Sequence, residues 1–303
     1  MKKIIERLLV FFIGIPAIFG LVLLLPHFNN LALNLVVVFF STLGAVEFSA
    51  MLEKKNIKIS KVESCILGAL IPLSLTLVIS AGLSVWIVII AIIAAMIWAL
   101  VSRIFSRKTE IETIANKVIG CFSLLIYPGF FMGFIVLMSG WGNPAATLLF
   151  LLITFANDSL AWLFGTLFGA NNKGIIMVSP NKSIAGFLGG IFGSIIITIC
   201  AVYFFPAVFT VKGLMLAELL NNQHFFSSIL TRQIFVPVII LSLCTGIAAI
   251  LGDLAESAMK RSCDFKDSGN FMLGRGGVLD SIDSIAVAAP VFFLLFIYFF
   301  NAI

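Results

Sequence analysis

Charge is scarce in this sequence. Only 11% of its 303 residues are Asp, Glu, Lys or Arg, against about 25% in soluble globular domains. That excludes an ordinary water-soluble protein. Cysteine is also sparse: the five residues, at 65, 121, 200, 244 and 263, form no CxxC pair. Neither a zinc site nor a disulfide framework is supported, and they read as small apolar packing residues. Strand-type alternation in ~10-residue units is missing, which excludes an outer-membrane barrel. No weakly repeated halves are visible, which counts against an inverted-repeat transporter.

What fills the chain instead is apolar. Hydrophobic residues make up 61% of it, with 31 Phe, and mean hydropathy is +1.18. Stretches of about 20 apolar residues recur, each long enough to cross the bilayer core as a helix. The expected architecture is an all-α polytopic membrane protein. Nine spans are expected, at roughly 8–25, 31–52, 62–81, 84–102, 118–138, 145–164, 184–205, 232–251 and 284–302. Residues 1–140 hold spans one to five, and 141–303 form a catalytic region with spans six to nine. The opening "MKKIIERLLVFFIGIPAIFG" shows no small-residue cleavage site after its apolar run, so it reads as span one rather than a signal peptide. With the N-terminus in the cytoplasm and the C-terminus outside, 17 of the 19 Lys and Arg fall in inside loops, and only Lys212 and Arg232 fall outside. That is the bias that orients membrane proteins. The net charge of +5 reflects this bias and attraction to anionic lipid, not nucleic acid.

Polar residues inside the spans are expensive and mark candidates for function. Glu47 lies in span two, in "GAVEFSAM". It is either functional or a carboxylate that snorkels or caps a neighbour. Asn157 and Asp158 lie at the middle of span six. An ionised Asp there needs a cation, a partner or a water-filled cavity, and a helix–helix hydrogen bond by Asn157 is the plainer reading. "VSPNKSIAGFLGG" opens span seven. Ser179 forms a turn with Pro180, Ser183 suits the helix N-cap, and Lys182 adds positive charge where backbone N–H groups attract phosphate.

The remaining charge gathers in "LAESAMKRSCDFKDSGNFMLGRGGVLDSIDS", which holds nine of the chain's 33 charged residues. On a helix, Asp253, Glu256, Ser257 and Lys260 share one face. Arg261 follows, then Lys266 and Asp267. Gly274, Gly276 and Gly277 flank Arg275 in a loop whose N–H groups can approach an anion. Asp280 and Asp283 come one turn apart where span nine begins. Carboxylates hold Mg²⁺ through oxygen while substrate phosphates complete its shell, and Lys and Arg neutralise phosphate oxygens. This combination points to phosphoryl or nucleotidyl transfer at a membrane surface, with one lipid and one soluble substrate.

The order Ser257, Lys260-Arg261, Lys266-Asp267, Gly276-Gly277, Asp280 and Asp283 resembles the signature of the phosphatidate cytidylyltransferase (CDP-diacylglycerol synthase) family. "NDSLAWLFGTLFG" and "SPNKSIAGFLGG" are similar to the family's upstream segments. The resemblance implies an enzyme that condenses CTP with phosphatidate, releasing pyrophosphate and CDP-diacylglycerol. It also implies Mg²⁺, with K⁺ sharing the site, a homodimer, and a bacterial cytoplasmic membrane with the active site on the cytoplasmic side. The residues it marks as catalytic are Asp253, Lys260, Arg261, Lys266, Asp267 and Asp280. Those marked for substrate are Asn157, Asp158, Ser179, Lys182, Ser257, Arg275, Gly276 and Gly277. Asp253 and Asp280, with Asp158, are expected to hold the metal. The chain departs from the family pattern at Arg275, where the family has His, and at Ser281, where it has Arg. It also differs at Ala185 and Leu160. Arg275 is expected to replace the cation missing at 281. The alternatives are an ion or solute transporter, a different CTP-dependent lipid-phosphate enzyme, and a diverged homologue of low activity.

Overall fold

A computed structural model describes residues 14–102, 104, 111–140, 144–205, 208–211, 214–215, 232–272 and 276–300. Its helices are α1 (Ile15–Leu24), α2 (His27–Glu53), α3 (Lys61–Ala81), α4 (Trp86–Val101), α5 (Ile114–Leu124), α6 (Phe131–Gly140), α7 (Pro144–Phe168), α8 (Ile184–Phe204), α9 (Arg232–Ser262) and α10 (Leu279–Phe300). One turn of π-helix, Leu125–Phe130, joins α5 to α6. Among the described residues the strands are a short antiparallel pair, β1 (Thr210–Val211) against β2 (Leu214–Met215).

Seven helical runs among the described residues are long and apolar enough to cross a membrane: α2, α3, α5 through α6, α7, α8, α9 and α10. The chain is an α-helical integral membrane protein. At the first and fourth expected spans stand shorter apolar helices, α1 with 10 residues and α4 with 16. Residues 8–13 of the first span lie outside the described residues. Exposed apolar side chains such as Ile90, Ile97, Trp162, Leu188 and Leu294 are suited to lipid contact.

The chain divides into two compact units, residues 1–144 with 256–286, and 145–255 with 287–303. The segment around the signature therefore packs with the N-terminal helices. In this first unit, α3 begins with a local capping signal: Ser60 accepts the N–H of Glu63 at 3.2 Å. It stops at Gly82, which takes a left-handed φ of 69°, the conformation that ends many helices at glycine. Helix α2 is pinned at both levels. Near its start, Phe28, Asn29 and Asn30 are left-handed. Asn29 donates to Ile79 O at 2.7 Å and Asn30 donates to Ser139 O at 3.2 Å. Midway, the Ser41 hydroxyl lies 2.7 Å from Gly68 O and 2.5 Å from Pro128 O. Pro128 cannot donate to the helix ladder, and it sits in the π-turn. These contacts fix α2, which carries Glu47.

In the second unit, α7 and α8 approach closely. A Cβ on Gly193 would lie 2.8 Å from Ala156 O, so only glycine allows this crossing. Phe150, Phe209, Phe292, Phe296 and Phe300 build an aromatic core, with the Phe292 and Phe296 rings stacked at 5.3 Å.

Candidate active site

The signature begins inside α9, which remains helical to Ser262. The Glu256–Lys260 pair expected from i, i+4 spacing forms, with Nζ 2.6 Å from Oε2. It is not the solvated pair that spacing alone describes. Glu256 is fully buried, and its carboxyl group also bonds with that of Asp280. Lys260 also reaches Asp280 Oδ1 at 2.5 Å. One ammonium thus stands between a buried and a largely buried carboxylate, so the two acids share a single counter-ion.

Asp280 occupies the first turn of α10. Its Oδ2 accepts the N–H of Gly277 at 2.7 Å and of Ser268 at 2.9 Å. Backbone conformation makes this possible. Gly276 has φ 103°, and a Cβ on it would lie 2.5 Å from Asp280 Oδ2. Met272 and Gly276 exchange two backbone hydrogen bonds, 2.8 and 3.2 Å long, and close the base of the glycine loop. Arg275 sits within that loop and lies outside the described residues.

The sequence alone leaves the role of Glu47 open and gives Ser268 no signal of its own. The structure joins them: Ser268 Oγ donates to Glu47 Oε2 at 2.9 Å. Glu47 Oε1 accepts from Val278 N at 3.0 Å, and Oε2 accepts from Leu279 N at 2.8 Å. Glu47 thus caps a neighbouring helix, α10. Ser268 lies directly after Lys266-Asp267 and was visible only as part of the motif.

The other nominated residues fall into two groups. Arg261, Lys266 and Asp267 are exposed, and Ser257 is half-buried. Arg261 donates to Phe265 O at 3.4 Å. At the end of α2, Lys55 pairs loosely with Asp264, 3.8 Å apart on the surface. In the second unit, Lys182 Nζ is 2.5 Å from Asp253 Oδ2. Ser183 caps α8 through Gly186 N at 3.1 Å, as its sequence position predicts. Ser179 accepts the N–H of Lys182 at 3.1 Å in the preceding turn. Asn157 is buried, and its amide donates to Ser194 Oγ at 3.0 Å and Gly246 O at 3.2 Å. Those are bonds between helices. Asp158 beside it is exposed.

Among the described residues no three His, Cys, Asp or Glu side chains form a ready-made metal cage. The donor set nonetheless fits a hard cation such as Mg²⁺, which takes one or two carboxylates and leaves the rest of its shell to phosphate and water. Asp280 in the first unit supplies such oxygens beside Lys260, and Asp253 in the second supplies them beside Lys182.

A family model described as the cytidylyltransferase family matches residues 5–299. A phosphatidate cytidylyltransferase of Thermotoga maritima is 32% identical over 181 residues, 59% of this chain and 60% of that protein. A protein of Escherichia coli K12 called uncharacterized protein YnbB is 33% identical over 52% of this chain and 44% of its own length. A phosphatidate cytidylyltransferase of Staphylococcus aureus strain COL is 34% identical over 48% of this chain and 46% of its own length. The chain thus spans 60%, 44% and 46% of these relatives. Because the family model runs across nearly the whole sequence, the chain belongs to the cytidylyltransferase family.

Proposed function

We propose that the protein is a phosphatidate cytidylyltransferase, which makes CDP-diacylglycerol and pyrophosphate from CTP and phosphatidate. The observation that carries this reading is the Glu256–Lys260–Asp280 assembly. It lies within the signature of a helical membrane protein of this family. A phosphatidate phosphate oxygen attacks the α-phosphorus of CTP. The bond from that phosphorus to the bridging oxygen breaks, and pyrophosphate departs. The attacking oxygen is already anionic, so no protein nucleophile is required, and catalysis is positioning plus charge stabilisation.

Lys260, Arg261 and Lys266 bind phosphate oxygens, with Arg275 as the further cation of the glycine loop. Gly276 and Gly277 shape the substrate loop, with their own N–H groups bonded to Met272 O and Asp280 Oδ2, and Asp267 is the loop's catalytic acid. Ser179 and Lys182, at the start of α8, Ser257 on α9, and Asn157 and Asp158 on α7 complete the proposed substrate contacts. The carboxylates that would hold Mg²⁺, with K⁺ as a second cation, are those of Asp253, Asp280 and Asp158. A bound metal would neutralise charge on the triphosphate. The fold is completed by nine spans with the N-terminus cytoplasmic and the C-terminus outside. The enzyme works as a homodimer in the bacterial cytoplasmic membrane, with this site on the cytoplasmic face. Residues 141–303 form the catalytic region. The test is direct: protein in mixed micelles with CTP, phosphatidate and Mg²⁺ should form CDP-diacylglycerol and pyrophosphate in equal amounts. CTP that stays intact would count against the reading.

A further inference from the structure

We propose that Glu47 is a positioning residue for the reaction centre. It latches the two ends of the signature loop and thereby sets Asp280. The catalytic part of this inference rests on the function proposed above, whereas its structural part does not.

Glu47 belongs to α2, and everything it holds comes from 221 to 232 residues later in the chain. Both of its oxygens are used. The Val278 and Leu279 N–H groups it receives are orphan donors at the start of α10. A carboxylate there also meets the positive end of the helix dipole. The helix cap is therefore supplied from outside the segment, by an intramembrane acid.

The latch reaches Asp280 through Ser268. The Ser268 hydroxyl donates to Glu47 and accepts the Asp280 N–H at 3.3 Å, while the Ser268 N–H binds Asp280 Oδ2. Moving the Glu47 carboxylate therefore disturbs both the backbone and the side chain of Asp280. Two glycines make room for it. A Cβ on Gly269 would stand 2.8 Å from the Glu47 carboxyl carbon, and one on Gly277 would lie 2.6 Å from Gly269 N.

Gln is the informative replacement. It keeps the shape of the side chain but turns one acceptor into a donor. Because both Glu47 oxygens accept backbone N–H groups, one of those N–H groups must then face another N–H. A merely structural role would lower stability and leave the turnover of folded molecules alone. Positioning predicts a change in kcat and in Mg²⁺ demand.

The experiment has two arms on Glu47→Gln. The first measures amide hydrogen exchange over residues 266–282 without metal or substrate. The second measures kcat, KM for CTP and the Mg²⁺ concentration giving half-maximal rate. Exchange in that stretch should quicken. The kcat should fall about 10–100-fold, the effect typical of losing a group that orients a ligand. The Mg²⁺ requirement should rise, with KM for CTP unchanged. Wild-type exchange in Glu47→Gln overturns the latch. Wild-type kcat and Mg²⁺ demand overturn its catalytic part. If wild-type protein makes no CDP-diacylglycerol, the proposed function fails and the exchange arm still decides the latch. Should Glu47→Gln not fold, Ser268→Ala is measured the same two ways. Smaller shifts in the same directions support the proposal, and wild-type values overturn it.

Discussion

The ammonium of Lys260 lies 2.5 Å from Oδ1 of Asp280. The acid at the start of α10 is thereby tied to the last turns of α9, and Glu256 holds the same ammonium from its other side at 2.6 Å. Replacing Asp280 by Asn preserves shape and one acceptor oxygen but removes the charge opposite Lys260. We expect CDP-diacylglycerol formation to fall by about a hundredfold or more, as when a charge-stabilising group is removed, with the helical circular-dichroism signal intact. Near-normal turnover in Asp280→Asn would exclude it from the reaction.

Asn157 separates packing from binding. Its amide donates to Ser194 and Gly246, and hydrogen bonds between membrane helices contribute about 0.6 kcal/mol on average and up to ~2. Asn157→Ala should lower the Tm measurably while leaving KM for both substrates unchanged. A raised KM with unchanged Tm would make Asn157 a direct substrate contact.

Arg275 and Ser281 form a pair of exchanged characters relative to the family pattern. Arg keeps its charge at every accessible pH and can grip phosphate at two points. Arg275→Ala should sharply reduce kcat/KM, and adding Ser281→Arg to that variant should restore part of it. Unchanged kinetics in Arg275→Ala for both CTP and phosphatidate would show that Arg275 takes no part in binding phosphate.

The proposed topology rests on the basic residues, 17 of which it places in inside loops and two outside. A single cysteine introduced at Asn222 into a cysteine-free background should react with an impermeant thiol reagent added from outside the cell. Labelling from the cytoplasmic side alone would reverse or break the span assignment.

Much of this molecule is written locally. Ser60 and Ser183 cap the helices they precede, and Gly82 turns the chain between α3 and α4. Such features depend on neighbours a few residues away, so they can be read from sequence. The motif residues of α9 and α10 were legible for a different reason, because their types and spacing carry chemistry. The Glu47 contacts were not legible. An acid in a span announces an unusual partner but not which one, and Ser268 is 221 residues away. The burial of Glu256 was equally hidden. Spacing predicts its pairing with Lys260, but whether water reaches that pair depends on the packing around it. The partners of Asn157 were hidden in the same way. Its polarity within an apolar run marks it, but Ser194 and Gly246, which accept its amide, are 37 and 89 residues away.

The central claim is that the lipid receives the α-phosphate of CTP as part of a CMP unit. The most direct measurement follows radiolabel from CTP into the lipid fraction when purified protein is incubated with phosphatidate and Mg²⁺. Label at the α-phosphate should enter lipid as CDP-diacylglycerol, and label at the γ-phosphate should appear in pyrophosphate. Lipid labelled from the γ-phosphate would mark a kinase, and lipid that stays unlabelled from either position would contradict cytidylyl transfer.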